Sequence, residues 1–172
     1  MLKAKFNILG MFGAVGFAAT LLIFGAAANG FINSASAQQQ FTAKLSSKNE
    51  VPPVSTPATG IAMFTVSPDG TSLHYVLNVA DMTGVMGAHI HAGTSMQNGP
   101  VVAGLFNPSM VGPPTGKVHG SLSKGTIRAS NLTGPLAGKE LSDLLLLIKS
   151  GNTYVNVHTT QNPKGEIRGQ LS

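Results

Sequence analysis

The strongest constraint on this chain is a series of short segments in which apolar residues form regular rows, separated by glycine and proline. In the clearest segment, Leu73, Tyr75, Leu77 and Val79 occupy every second position. Side chains alternate between the two faces of a strand, so such a row predicts a strand with one face in the core. Several short strands with glycine- and proline-rich turns indicate an antiparallel β-sandwich or barrel, here of about seven or eight strands.

One segment has the periodicity of a helix instead. Its apolar residues recur at spacings of three and four, as on one face of an α-helix. The residues concerned are Leu141, Leu144, Leu145 and Ile148. Gly151 follows them, and glycine commonly ends a helix in the left-handed conformation. We therefore expect an all-β protein with one short helix near residues 138–149, whose apolar face lies in the core.

A hairpin is predicted shortly before this helix. Residues 117–122 and 126–129 have the composition of two strands. The intervening Ser123-Lys124-Gly125 supplies the flexible residues that a tight connection needs.

Residues 1–37 have the composition of a targeting segment. Two lysines precede a stretch from Phe6 to Ala37 that contains no charged residue, and Ala35-Ser36-Ala37 fits the small-x-small pattern of a cleavage site. The stretch also approaches the roughly 20 apolar residues that span a bilayer. We expect residues 1–37 to be a secretory signal peptide or, if uncleaved, an N-terminal membrane anchor. Residues 38–172 would then form one domain that is secreted, extracellular or held in the cell envelope.

Composition excludes several classes of function. The chain has no cysteine, so an exported domain must rely on its core rather than on disulfides. Beyond residue 37 it has nine basic residues (11 minus the two N-terminal lysines) against six acidic ones. They form no basic patch of the kind that nucleic-acid binding requires, and no hydrolase or phosphate-binding motif is present. We therefore expect no nucleic-acid partner, and membrane contact only through an uncleaved N-terminal segment. No motif indicates an enzymatic activity.

Histidines mark the most chemically suggestive part of the chain. His89 and His91 are two residues apart, so they lie on the same face of one predicted strand. His158 lies on the polar face of another strand, in the segment 154–159. If the two strands are neighbours, three imidazoles converge and leave one coordination position open. We predict a metal site at His89, His91 and His158, with copper preferred over zinc because copper binds more tightly in the divalent series.

A second interpretation of the same residues needs no metal. The histidines would hydrogen-bond to loops and fix the ends of the strands. Asn156, Glu166 and Arg168 are candidates for orienting a ligating histidine. Glu166 and Arg168 share one strand face, however, so an ion pair near the surface is the alternative. Two further histidines, His74 and His119, lie on polar strand faces, and we expect them at the surface.

Several motifs, in their order along the chain, resemble the CHRD domain family, the module named after chordin. The motifs are Phe41-Thr42-Ala43-Lys44-Leu45, Asn49-Glu50-Val51-Pro52-Pro53, Leu73-His74-Tyr75, Ala88-His89-Ile90-His91-Ala92-Gly93, Asn98-Gly99-Pro100-Val101-Val102, Tyr154-Val155-Asn156-Val157-His158-Thr159 and Pro163-Lys164-Gly165-Glu166-Ile167-Arg168-Gly169-Gln170-Leu171. The resemblance spans residues 40–172. It implies an extracellular β-sandwich or immunoglobulin-like barrel, and no enzymatic activity follows from it.

A shorter resemblance concerns the histidines. The segments 87–91 and 106–108 resemble the copper-ligand strand and the following loop of Cu/Zn superoxide dismutases, and His158 matches another copper ligand. The bridging histidine, the acidic zinc ligands and the disulfide of those enzymes have no counterparts here. Two functions stay open at this point. One is a binding or structural module for an unidentified extracellular or cell-surface protein; the other is a histidine-ligated, superoxide dismutase-like copper protein.

Overall fold

The computed structural model describes residues 38–172. Eight strands follow one another along the chain: β1 Gln40–Ser46, β2 Thr59–Val66, β3 Leu73–Thr83, β4 Val85–Ala92, β5 Val101–Phe106, β6 Lys117–Ile127, β7 Thr153–Thr159 and β8 Ile167–Gln170. Two α-helices, α1 Pro108–Val111 and α2 Leu141–Lys149, precede β6 and β7. The predicted signal peptide or anchor at residues 1–37 lies outside the described residues. Between residues 38 and 172, no helix has the length and apolar character needed to cross a bilayer.

All eight strands belong to one antiparallel sheet, in the order β5-β4-β7-β8-β1-β2-β3-β6. The sheet curls until its two edge strands, β5 and β6, lie close to each other. At this seam the Tyr75 hydroxyl of β3 donates a hydrogen bond to the Leu105 carbonyl of β5, with an O···O distance of 2.6 Å. The result is a nearly closed barrel, which confirms the predicted all-β, antiparallel fold class.

The predicted core rows are buried. Leu73 and Leu77 of β3 are fully buried, whereas His74 between them is exposed. The predicted apolar face of α2 packs into the same core. α2 ends at Ser150, and Gly151 then adopts a φ of 69°, which is the left-handed conformation that favours glycine. The sequence pattern did not predict the short helix α1, which lies in a segment rich in proline and glycine.

The hairpin predicted at residues 117–129 is wrong. β6 is one continuous strand of 11 residues that pairs along β3. Gly125 lies opposite Tyr75 in this pairing, and a Cβ at position 125 would come within 2.9 Å of the tyrosine ring. The glycine thus serves close packing beneath an aromatic ring rather than a turn, which is a second common use of glycine in strands.

Candidate metal centre

The outer faces of β4 and β7 form one surface, because the two strands are hydrogen-bonded neighbours. Ile90 and Val155 point to the core and are fully buried. The residues on either side of them therefore point away from the core. His89 and His91 lie on this outer face of β4, and His158 lies on that of β7. The arrangement of neighbouring strands on which the metal prediction depended is present.

The three imidazoles form a compact group. One ring nitrogen of each histidine lies within 4.8 Å of the other two. The ring centroids are 5.2 Å apart for His89 and His158, 5.8 Å for His89 and His91, and 6.0 Å for His91 and His158. Nitrogens bound to one zinc-like ion lie about 3 to 4 Å apart, since each is about 2.0 to 2.1 Å from the ion. The rings thus need to approach one another only slightly to share an ion.

Hydrogen bonds to two loops determine which ring nitrogens are free to bind a ligand. Nδ1 of His91 lies 2.9 Å from the Gly99 carbonyl oxygen, and Nδ1 of His158 lies 3.1 Å from that of Pro163. A carbonyl only accepts, so each of these Nδ1 atoms carries the proton and each Nε2 keeps its lone pair. Both Nε2 atoms and Nδ1 of His89 are buried and have no hydrogen-bond partner among the described residues. Three nitrogens, one from each ring, are therefore available to a ligand.

Burial keeps the three rings neutral. It lowers the pKa of His89 to about 4, and the neighbouring His158 and His91 add to this effect. Burial also lowers the pKa of His91 and that of His158, although the carbonyls of Gly99 and Pro163 act in the opposite direction. Neutral imidazole is the form that binds metal. The group is thus in its ligating form at pH values where a solvent-exposed histidine is already protonated.

Two glycines make the arrangement sterically possible. Gly87 lies on the outer face of β4, and a Cβ there would lie 3.2 Å from Cε1 of His89. Gly99, whose carbonyl holds His91, passes so close to β4 that a Cβ would overlap the Ala92 carbonyl oxygen at 1.6 Å. A larger residue at position 99 would therefore displace the loop that fixes His91.

Tyr154 and Arg168 support His91 from the side. The Tyr154 ring stacks on the His91 ring, with centroids 4.8 Å apart and an angle of 9° between the planes. The Arg168 guanidinium carbon lies 3.3 Å from the Tyr154 ring centroid, which is a cation–π contact. The Tyr154 hydroxyl also accepts a hydrogen bond from the Gly99 N–H at 3.0 Å. This stack fixes the plane of His91 and the loop that orients it.

Arg168 is a buried residue with its own set of partners. Its side chain is 1 % exposed. Nη1 donates to Oδ1 of Asn98 at 2.8 Å, and Nη2 donates to the carbonyls of Thr94 and Gln97 at 2.6 and 2.7 Å. The alternative prediction of a surface ion pair with Glu166 is wrong, because Arg168 and Glu166 are both buried and bonded elsewhere. Arg168 thus acts on His91 through Tyr154 and the loop.

The other two candidates for orienting a histidine have different partners. Glu166 accepts a hydrogen bond from the Thr159 hydroxyl at 2.5 Å rather than from an imidazole. Asn156 lies directly opposite His89 in the sheet and donates from Nδ2 to Oε1 of Glu50 at 2.8 Å. Its Oδ1 is buried without a partner among the described residues. Neither residue makes the contact that the sequence suggested.

Glu50 is a buried acid that the sequence reasoning missed. It is 5 % exposed, and burial raises its pKa to about 7, against the opposing effect of the positive charge on Arg168. A single acidic residue in the proline-rich segment 49–53 carries no periodic signal, so the sequence did not indicate that Glu50 is buried. In the structure it accepts a hydrogen bond from Asn156 and lies near the positive charge of Arg168. His74 and His119, by contrast, are exposed as predicted.

Comparison with known proteins agrees with this architecture. The model of the CHRD domain family matches residues 41–171, which include all three histidines and, apart from the first residue of β1, all eight described strands. No curated protein and no solved structure matches the chain. CHRD domains occur in extracellular proteins. Since the match extends over most of the 172 residues, the chain belongs to the CHRD domain family.

Proposed function

We propose that residues 38–172 form an exported copper-binding domain in which His89, His91 and His158 hold the ion. One observation carries the proposal: one ring nitrogen from each of the three histidines, on two strands, lies within 4.8 Å of the other two. Each ring also has one buried nitrogen without a hydrogen-bond partner among the described residues. A buried polar atom that lacks a partner costs about 1 to 3 kcal/mol. Three such atoms in one group of side chains are therefore unfavourable unless a ligand bonds to them.

The donor set supports copper, with zinc as the second choice. All three donors are imidazoles, and copper binds such nitrogen ligands more tightly than zinc does. The two buried acidic residues, Glu50 and Glu166, are bonded to Asn156 and Thr159 rather than to a histidine. Three protein ligands would leave one position open to water or to a small molecule. The domain would then bind, store or use copper outside the cytoplasm, as the expected export of the chain implies.

Membership of the family supports a second function that is compatible with the first. CHRD domains occur in extracellular proteins. A binding or structural role towards a protein at the cell surface would use the loops and leave the histidines to the metal. Recovery of a specific partner from the native cell envelope would test this role. A monomeric domain that associates with nothing there would contradict it.

Copper loading of the purified protein tests the metal proposal, with His91→Ala as the variant and His74→Ala as the matched control. His74 is an exposed histidine of β3 that hydrogen-bonds to the Thr126 hydroxyl at 2.9 Å and is not a member of the histidine group. We expect one copper per chain in the wild type and in the control. Loss of a ligand should weaken binding by more than the roughly 10- to 100-fold that loss of an outer partner costs.

Electron paramagnetic resonance of the loaded protein adds a spectroscopic criterion. Three imidazole ligands should give couplings from three nitrogens on Cu(II), whereas any copper that His91→Ala retains should show couplings from at most two. Equal copper content in wild type and His91→Ala would overturn the proposal. So would the absence of copper from the wild type after loading.

A further inference from the structure

A cleft opens at the seam where the barrel is not closed by strand pairing. It lies between β5 and β6, beside α1, and has a volume of about 650 Å³. Sites for small molecules typically measure about 300 to 1,000 Å³. His89 forms part of the wall, so the cleft adjoins the proposed metal centre without including His91 or His158.

Gly104 gives the cleft its depth next to His89. It lies in the interior of β5, directly opposite His89 in the pairing with β4. A Cβ at this position would meet no atom within 4 Å, and the residue is exposed. Neither a left-handed turn nor a close backbone contact therefore requires glycine here. Glycine inside a strand weakens the strand and often marks a place where a ligand approaches the backbone.

The walls of the cleft are mainly apolar. Phe106 and Leu122 contribute from β5 and β6. Met110 and Val111 of α1 stand at the cleft and are 82 % and 71 % exposed. Two large apolar side chains exposed beside one another at a concave surface are typical of a binding site. An apolar ligand would remove both from water.

The polar groups of the cleft favour a negative charge on the ligand. Lys124 lines the cleft, and no residue among the described lining residues is acidic. Ser123, also in the lining, contributes a buried hydroxyl that interacts with the hydroxyl of Tyr75. Hydroxyl groups and a lysine ammonium on the wall of one cleft suit an anionic oxygen.

We propose that this cleft is a second binding site, for a compact and mostly apolar molecule that carries one anionic oxygen group. Its apolar body contacts Phe106, Leu122 and Met110, and its anionic group lies towards Ser123 and Lys124. The site shares the wall residue His89 with the metal centre but includes neither His91 nor His158, so loss of the ion through His91 should leave it intact.

Titration with 8-anilinonaphthalene-1-sulfonate, an aromatic anion, tests the site by fluorescence. We expect saturable binding of one probe per chain to the wild type. Gly104→Leu fills the cleft from an open position, so it should weaken binding at least about tenfold, because its side chain clashes with the bound probe. Ser121→Leu adds the same side chain at an exposed position of β6 outside the cleft, and it should bind like the wild type.

Charge and independence from the metal are tested by two further variants. Lys124→Met should weaken binding of the anionic probe but leave that of the neutral N-phenyl-1-naphthylamine unchanged. His91→Ala should lose copper yet bind the probe like the wild type, so failure of either proposal can be told from failure of the other. Equal probe binding by Gly104→Leu and Ser121→Leu, with unchanged thermal unfolding, would overturn the cleft proposal. Absence of saturable binding to the wild type would do the same.

Discussion

Two polar clusters lie on the outer face of the neighbouring strands β4, β7 and β8, and they differ in how their hydrogen bonds are met. Arg168 of β8 makes three hydrogen bonds to one loop and a cation–π contact with Tyr154. The three histidines use the Nδ1 atoms of His91 and His158 for loops, but each ring keeps one buried nitrogen without a partner among the described residues. Buried polar groups in folded proteins are normally paired. The first cluster therefore needs nothing beyond the fold, whereas the unpaired nitrogens of the second are the reason for proposing a ligand there.

The two clusters are physically joined. Tyr154 contacts Arg168 on one side and His91 on the other, and Gly99 bonds to both Tyr154 and His91. The cluster around Arg168 thus positions the cluster of three histidines. Substitutions can separate the two roles, because the first cluster should control the free energy of unfolding and the second should control metal binding.

The largest effect on stability is expected from Arg168→Met. The substitution keeps much of the apolar stem but leaves the carbonyls of Thr94 and Gln97 without their donors. Removing one partner from a buried charged network costs about 3 to 5 kcal/mol, measurable by urea unfolding. Arg128→Met, at an exposed position, should stay within about 0.5 kcal/mol of wild type. A loss below about 1 kcal/mol for Arg168→Met would contradict a structural role for this cluster.

An intermediate, pH-dependent effect is expected from Glu50→Gln. The pKa of Glu50 is raised from 4.5 to about 7 by burial, so the folded state holds its proton more tightly than the unfolded state. Its contribution is fully present below pH 4.5 and is lost as the pH rises through 7. Glutamine keeps an acceptor for Asn156 without ionising, so the variant should be more stable than wild type at pH 8 by about 1 to 3 kcal/mol.

The same comparison has an internal control at low pH. Wild type and Glu50→Gln should unfold at similar urea concentrations at pH 4, where the carboxyl group is protonated in both states. A variant that is less stable than wild type at pH 8 would show that ionised Glu50 is a required partner of Arg168. The stability of the cluster around Arg168 would then depend on charge as well as on hydrogen bonds.

The smallest effect on stability is expected from His158→Ala without metal. The variant loses one hydrogen bond to Pro163 but also removes a buried nitrogen that has no partner among the described residues. These contributions oppose each other, so the free energy of unfolding should change by about 1 kcal/mol or less. With copper present, wild type should gain about 2.7 kcal/mol at 100 times its Kd, and the variant should gain nothing measurable. A large loss in metal-free protein would favour the purely structural interpretation.

Local sequence patterns predicted strands and helices correctly where the pattern is compatible with only one kind of secondary structure. The row Leu73 to Val79 is a strand because period-two burial follows from strand geometry. The leucines of α2 are buried because their spacing follows from helix geometry. Gly125 was misread as part of a turn, since a glycine in a turn and a glycine beneath a tyrosine ring look the same in sequence.

The candidate site was predictable to the same extent. The pair His89 and His91 is set by alternation within one strand, and the same alternation placed His158 on the polar face of another. The partners of Glu166 and Asn156 were not predictable, because each depends on an unrelated loop. The choice of Nε2 or Nδ1 at each histidine likewise depends on the carbonyls of Gly99 and Pro163.

The sequence by itself determined most of the strands, helix α2 and the faces on which the histidines lie, because these follow from backbone geometry over a few residues. The tertiary structure alone decided which groups meet. Asn156 and Glu50 are 106 positions apart, and Arg168 lies 70 positions from Asn98. These contacts exist because the sheet order places β8 between β7 and β1. That order depends on packing between residues that are distant in sequence, so it cannot be inferred from any short segment.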